Sequence, residues 1–167
     1  MYTAQLGLNQ PIAVRYPRGR GVTQNWELPY EKIEIGVSQE IKKGTKIAVL
    51  SIGHIGNKIM ELVKELDVPS AVGHYNMRFV KPMDNGQLIK IFDKYKYIIT
   101  VEDGCKIGGF GSAILEFANE AGYSNPIQVL GITDKFLEHG SIEELHEQAG
   151  IDALSIKRHI NKIINAH

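Results

Sequence analysis

After the N-terminal stretch, strand-like and helix-like patterns of apolar and polar positions alternate along the chain. Short apolar runs, typical of strands buried on both faces, occur at 46–52 and 97–101. Weaker strand patterns cover 34–41, 70–75 and 127–130. Apolar residues three and four positions apart predict helices between these runs. The alternation predicts a three-layer α/β domain, with a largely parallel five-stranded sheet and helices on both faces.

Three helix starts are marked by capping residues. Asp84 precedes a helix whose apolar face carries Leu88 and Ile91. Ser141 and Glu144 form the capping-box pattern S-x-x-E. Asp152 is the predicted cap of the last helix. The connections between predicted elements are only a few residues long, which favours one continuous core from residue 33 to the C-terminus.

The first thirty residues have a different character. Pro11, Pro17 and Pro29 interrupt this segment, and 11–16 could form one short strand. No partner strand or helix is evident nearby, and a lone strand cannot satisfy its edges. We therefore interpret this segment as the end of something larger.

Composition narrows the class of protein. Nineteen basic residues balance nineteen acidic ones, so there is no general electrostatic attraction to nucleic acid or an anionic membrane. Cys105 is the only cysteine, which rules out an internal disulfide and argues against a cysteine-built metal site. No membrane-length apolar run or signal peptide is visible. These features predict a soluble protein of a reducing compartment, the cytoplasm.

A glycine-rich turn over 102–112 follows a strand and opens a helix. Its glycines permit close backbone approach, and a helix N-terminus offers free N–H groups to an anion. The spacing matches neither G-x-G-x-x-G nor the G-x-x-x-x-G-K-[ST] loop. The pattern therefore favours a tight turn with close helix–sheet packing. A stand-alone module that binds an anion or nucleotide here is the alternative.

Two basic segments flank proline residues. In 78–84, Arg78 and Lys81 stand beside Pro82, and we favour an interface role over a phosphate or carboxylate site. In 15–20, three arginines occur within six residues. Guanidinium groups bind phosphate through two parallel hydrogen bonds, so this second segment favours phosphate binding over a solvated basic loop.

No complete active site emerges from the remaining polar residues. Glu138 and His139 could act as an acid–base pair, but a hydrogen-bonded loop pair is the more ordinary interpretation. Ser51 lacks the glycine pattern of a nucleophile elbow. We therefore predict no catalytic residue and no metal ligand in this chain. Five of the six histidines are scattered along the chain without metal-ligand spacing: His54, His74, His139, His146 and His159.

Several segments together resemble one family, the 1-deoxy-D-xylulose-5-phosphate synthases, which are thiamine-diphosphate enzymes of the transketolase superfamily. The resemblance is to their C-terminal portion and covers nearly the whole chain in order and spacing. The matching segments are R-Y-P-R-G (15–19), R-F-V-K-P-M-D (78–84), V-E-D-G-C-K-I-G-G-F-G-S-A (101–113), G-I-T-D-K-F-L-E-H-G-S (131–141) and A-G-I-D-A (149–153).

The resemblance implies a division of the chain. Residues 1–25 would be the tail of a pyrimidine-binding domain with its linker, and 26–167 a transketolase C-terminal domain with one antiparallel strand in a mostly parallel sheet. The parent would be a dimeric, bacterial-type transferase that uses thiamine diphosphate and Mg²⁺. It would join pyruvate, with loss of carbon dioxide, to glyceraldehyde 3-phosphate for isoprenoid, thiamine and pyridoxal synthesis. Arg18 would inherit the role of a substrate-phosphate ligand.

The chain departs from the family in one large respect. The magnesium motif, G-D-G with a later Asn, is absent, and Glu102-Asp103-Gly104 is not that motif. The histidines and the glutamate that activate the coenzyme are also absent. The chain alone is therefore expected to be inactive, to bind no cofactor and to support the dimer. The alternatives within the superfamily are a transketolase and a 2-oxo acid dehydrogenase beta subunit.

Overall fold

The computed structural model of the chain describes residues 1–17, 21 and 27–166. Five strands and six α-helices are present in this part of the chain. In chain order they are α1 (Tyr2–Gln5), β1 (Gln39–Lys42), β2 (Ile47–Ile52), α2 (Ile55–Lys64), β3 (Val72–Asn76), α3 (Asn85–Lys94), β4 (Tyr97–Cys105), α4 (Phe110–Glu120), β5 (Ile127–Ile132), α5 (Ile142–Ala149) and α6 (Ala153–Asn165). A short 3₁₀ turn, Pro69–Ala71, precedes β3.

The strands form one sheet in the order β1-β3-β2-β4-β5. Strands β3, β2, β4 and β5 are parallel, whereas β1 pairs antiparallel with β3. The predicted α/β architecture is therefore confirmed, including the single antiparallel strand that the family resemblance implied. None of the helices in the described ranges has the length and hydrophobicity that a bilayer crossing requires.

The side chains of alternate residues in the central strands pack into two separate hydrophobic cores. Ile47 and Val49 point to one face, where they pack with residues of α2 and α6. Ala48 and Leu50 point to the other face, where they pack with residues of α3 and α4. Burial on both faces explains why β2 is an unbroken apolar run rather than an alternating pattern.

The loop before α3 ties the edge strand to the body of the domain. The side chain of Asp84 caps α3 by accepting from the backbone N–H of Gln87, and it also accepts from the backbone and hydroxyl of Ser38. Burial opposes ionisation of this carboxyl, but these hydrogen bonds prevail and lower its pKa. Arg78 donates to the side chain of Gln39 at the start of β1. The 78–84 segment therefore contacts its own chain through both ends.

Two predictions about strands need correction. No strand forms over 11–16, because no neighbouring strand in the described part of the chain offers it a hydrogen-bonding edge. The strand predicted over 34–41 is shorter and begins at Gln39. A turn precedes it, in which the N–H of Val37 donates to the carbonyl of Glu34 and Gly36 has φ 77°. A residue in that left-handed conformation cannot continue a strand.

A buried serine–histidine pair links β2 and β3. The Oγ of Ser51 lies 2.8 Å from Nε2 of His74, and both side chains are buried. Burial lowers the pKa of His74 from 6.5 to about 4, because the interior penalises the charged imidazolium. His74 is therefore neutral in the folded protein at neutral pH.

This pair predicts a pH dependence of stability. Above pH 6.5 His74 is neutral in both the folded and the unfolded chain and has no effect. As the pH falls from 6.5 towards 4, the unfolded chain takes up a proton that the folded chain refuses. The free energy of unfolding should fall by about 3 kcal/mol through this group.

Urea denaturation at a series of pH values measures this loss, with His74→Gln as the comparison. Glutamine can still hydrogen-bond to Ser51 but does not titrate in this range. The variant should lose clearly less stability than the parent chain over the same pH interval. Equal losses in the two chains would show that another group is responsible.

Candidate functional site

The carboxyl edge of the parallel strands is where the topology places a binding crevice. From β2 the chain moves to β3 on one side, whereas from β4 it moves to β5 on the other. The loops that leave two such strands diverge to opposite faces and open a crevice between them, where ligands of open α/β sheets bind. In this protein that switch point lies between the loop after β2 and the glycine-rich turn that follows β4.

At the glycine-rich turn, a carboxylate of the protein occupies the N-terminus of α4. The side chain of Glu102 accepts from the backbone N–H of Phe110 at 2.9 Å and from that of Gly111 at 2.8 Å. These N–H groups have no partner within the helix, and the helix dipole favours negative charge beside them. Glu102 is buried, so it fills the position that a bound phosphate would otherwise take.

The rest of the turn is also satisfied internally and closely packed. The hydroxyl of Ser112 accepts from the N–H of Gly108 and donates to the carbonyl of Lys106. A Cβ on Gly109 would lie 2.0 Å from the carbonyl oxygen of Cys105 and 2.4 Å from the Glu102 carboxylate. The structure therefore supports the tight-turn interpretation over the anion-binding alternative.

A second polar cluster lies at the two central strands. His54 follows β2, Asp103 belongs to β4, and His146 comes from α5. Oδ2 of Asp103 lies 3.2 Å from Nε2 of His54 and 3.4 Å from Nε2 of His146. His146 is buried, whereas the side chains of His54 and Asp103 are 35% and 30% exposed. The cluster is therefore open to solvent on the His54 side.

Two cations border this cluster. Nζ of Lys58 lies 2.6 Å from Nδ1 of His146. An ammonium has no acceptor, so Nδ1 accepts and the proton of the neutral ring is on Nε2, directed at Asp103. Arg15 donates to the backbone carbonyl of Asp103 at 3.0 Å. Gly104 permits this approach, since a Cβ there would lie 3.1 Å from the Arg15 guanidinium.

The predicted phosphate ligand, Arg18, lies outside the described residues, as does Arg20. Arg15, from the same basic segment, contacts the C-terminal part of the chain at Asp103. In the 78–84 segment, Arg78 is engaged by Gln39 and Lys81 is exposed. These contacts lie within one domain, so the predicted interface role of the segment stays a prediction.

Among the other candidates, Glu138 and His139 are both exposed on the loop before α5. Ser51 is paired with His74, but both lie inside the domain, where a substrate cannot reach them. Sequence reasoning missed the cluster of His54, Asp103 and His146, because its members come from three elements far apart in the chain. The available signal was positional, since two of them follow or end buried parallel strands.

The glycine-rich turn yields a stability prediction. Replacing Glu102 with Ala leaves the N–H groups of Phe110 and Gly111 without their acceptor in a buried position. The free energy of unfolding should fall by about 3 kcal/mol. Sulfate should stabilise this variant more than the parent chain, because an anion can then occupy the vacated helix N-terminus.

The control is Glu116→Ala, which removes an equal charge from an exposed position on the same helix. It should leave stability nearly unchanged and show no particular response to sulfate. Chemical denaturation with and without sodium sulfate measures all three chains. If Glu102→Ala costs no more than Glu116→Ala, the carboxylate is not the cap described here.

Comparison with known proteins places the chain in context. The family model for the transketolase C-terminal domain matches residues 36–156. The 1-deoxy-D-xylulose-5-phosphate synthase of Cytophaga hutchinsonii is 48% identical over 98% of this chain, and that of Bacteroides fragilis is 43% identical over 97%. The Bacillus mycoides synthase is 37% identical over 98% of the chain. The chain spans about a quarter of the length of these relatives (26% for Cytophaga hutchinsonii).

Solved structures agree with the fold. A split-gene transketolase, described as an inactive beta4 tetramer, superimposes with a TM-score of 0.73 at 26% identity, over 81% of this chain and 44% of its own. The transketolase of Campylobacter jejuni superimposes with a TM-score of 0.56 at 17% identity, over 76% of this chain and 18% of its own, which concerns the fold alone. With its five-stranded sheet and the matched residues 36–156, the chain belongs to the transketolase C-terminal domain family.

Proposed function

We propose that this chain is the C-terminal portion of a 1-deoxy-D-xylulose-5-phosphate synthase. The observation that carries the proposal is similarity along almost the whole chain, at 48% identity over 98% of its length, to the C. hutchinsonii synthase. The parent enzyme condenses pyruvate with glyceraldehyde 3-phosphate, with loss of carbon dioxide, for isoprenoid, thiamine and pyridoxal synthesis. It is a homodimeric, cytoplasmic enzyme that requires thiamine diphosphate and Mg²⁺.

The sequence identities of this chain to known proteins favour the synthase over the related alternatives. Eight relatives between 37% and 48% identical carry the synthase name. Two transketolase structures that share the fold are 26% and 17% identical. Within the synthase, residues 1–25 form the tail of the pyrimidine-binding domain and its linker, and 26–167 form the C-terminal domain.

The coenzyme belongs to the part of the enzyme that precedes this chain. Mg²⁺ bound to a diphosphate is held by oxygen ligands, mainly carboxylates, and not by imidazole nitrogens. The carboxylate of Glu102 is bonded to the N-terminus of α4, and Oδ2 of Asp103 is engaged by two imidazoles. These residues therefore do not fit the thiamine-diphosphate site, and the chemistry of the coenzyme involves none of them.

The contribution of this chain is to position the linker that carries Arg18. Arg15 donates to the carbonyl of Asp103 and so holds the linker at the carboxyl edge of the sheet. Arg18 follows Arg15 by three residues in the R-Y-P-R-G segment and binds the phosphate of glyceraldehyde 3-phosphate in the assembled enzyme. Arg15 is then a positioning residue and Arg18 the substrate ligand.

The first test is the activity of the isolated chain. The purified 167-residue chain should form no detectable deoxyxylulose phosphate from pyruvate and glyceraldehyde 3-phosphate, because carbanion chemistry needs the coenzyme in its protein site. The full-length parent, assayed beside it, is the positive control. Product formation by the isolated chain would contradict the proposed division of labour.

The second test separates the two arginines in the full-length parent. Arg18→Ala should raise the KM for the aldehyde by roughly ten- to a hundred-fold, because a charge-assisted contact to phosphate is lost. Arg18→Lys should not restore it fully, since an ammonium lacks the planar fork. Pyruvate decarboxylation should be largely retained in both variants.

Arg15→Ala is the matched control, because it also removes one arginine charge, three residues before Arg18. It should lower stability and raise the KM for the aldehyde clearly less than Arg18→Ala does, because Arg15 contacts the protein backbone and not the substrate. Steady-state kinetics at saturating pyruvate and thermal denaturation measure the two effects. If Arg15→Ala raises the KM and Arg18→Ala does not, the phosphate ligand has been assigned to the wrong arginine.

A further inference from the structure

We propose that His54, Asp103 and His146 form a binding site for a divalent transition-metal ion, with Zn²⁺ as the fitting probe. The imidazole nitrogens and the carboxylate oxygen of these residues lie within 4.8 Å of one another. This site is separate from the coenzyme's Mg²⁺, which the proposed function assigns to the preceding part of the enzyme. Two nitrogen donors and one oxygen suit Zn²⁺, Co²⁺ or Ni²⁺ and not Mg²⁺.

The distances within the cluster are close to those of a preformed tetrahedral site. Ligand atoms at zinc-bond length from a tetrahedral ion stand about 3.3 Å apart. The two measured separations from Oδ2 of Asp103 are 3.2 Å to His54 and 3.4 Å to His146. Two of the three ligand–ligand edges therefore need almost no adjustment. The exposed side of His54 leaves the fourth position to water, as in zinc sites with three protein ligands.

The surroundings of His146 supply an independent observation. Among the residues of α5, His146 is the one that is buried. Its ring contacts Lys58 of α2 on one side and Asp103 of β4 on the other. A helix normally docks through apolar residues, so docking through an imidazole calls for a polar reason. An ion shared by His54, Asp103 and His146 would join the start of α2, strand β4 and helix α5 at one point.

The hydrogen bonds define what metal binding must rearrange. Without metal, Nδ1 of His146 accepts from Lys58, so the neutral ring carries its proton on Nε2. Coordination through Nε2 moves that proton to Nδ1 by exchange with solvent, with no net release. Nδ1–H and the ammonium of Lys58 are then both donors, so the lysine side chain must withdraw. Lys58 therefore opposes metal binding, both through this conflict and through its charge.

The experiment is a calorimetric titration of Zn²⁺ into the 167-residue chain carrying Cys105→Ser, which removes the exposed thiol as a competing ligand. We expect one ion per chain. The visible absorption of bound Co²⁺ reports tetrahedral coordination on the same sample. His54→Ala and Asp103→Asn should each weaken Zn²⁺ binding at least about tenfold. Circular dichroism checks that both variants retain the fold.

Two further variants distinguish Zn²⁺ binding at this site from nonspecific Zn²⁺ binding by exposed histidines. His139→Ala removes an exposed imidazole outside the cluster and should leave Zn²⁺ affinity unchanged. Lys58→Met should increase affinity about tenfold, because it removes both a positive charge beside a metal ligand and the competing donor. Failure to bind Zn²⁺, unchanged affinity in Asp103→Asn, or unchanged affinity in Lys58→Met would each overturn the proposal.

Discussion

The structure depends on the burial of strands β2 and β4 on both faces. Alternate residues of β2 enter two different cores, so a side chain in the middle of the strand is buried whichever face it is on. A polar side chain there needs a buried hydrogen-bond partner beside it. Ser51 meets this condition through His74. In β4, Thr100 is buried within the strand, whereas Glu102 and Asp103 lie towards the carboxyl edge, beside the glycine-rich turn. The crevice and its chemistry are thus a consequence of how the core is filled.

Glu102 shows how the protein uses an anion site without a ligand. The fold presents the free N–H groups of α4 at the point where many α/β proteins bind phosphate. Here the preceding strand supplies the negative charge itself, with two hydrogen bonds below 3 Å. This arrangement stabilises the turn without a bound ligand. It agrees with the positioning role that we propose for this domain.

Much of the fold was predictable, because it follows from local rules. The buried runs identified β2 and β4, and the helix caps Asp84, Ser141 and Asp152 were found where the sequence placed them. The prediction of a short strand over 11–16 was wrong, because strand formation needs a partner strand that the local sequence does not specify. The cluster of His54, Asp103 and His146 was missed for a related reason. Its geometry arises from the crossing of α2, β4 and α5, and no spacing rule relates residues of separate elements.

The reversed direction of β1 has a consequence for the whole polypeptide. Gln39, the first residue of β1, pairs with Asn76, the last residue of β3. The chain therefore enters the sheet from the carboxyl edge, and Arg15 touches that same edge at Asp103. A parallel first strand would have delivered the preceding polypeptide to the opposite end of the domain. One antiparallel pairing thus orients whatever comes before this domain towards the carboxyl edge of the sheet.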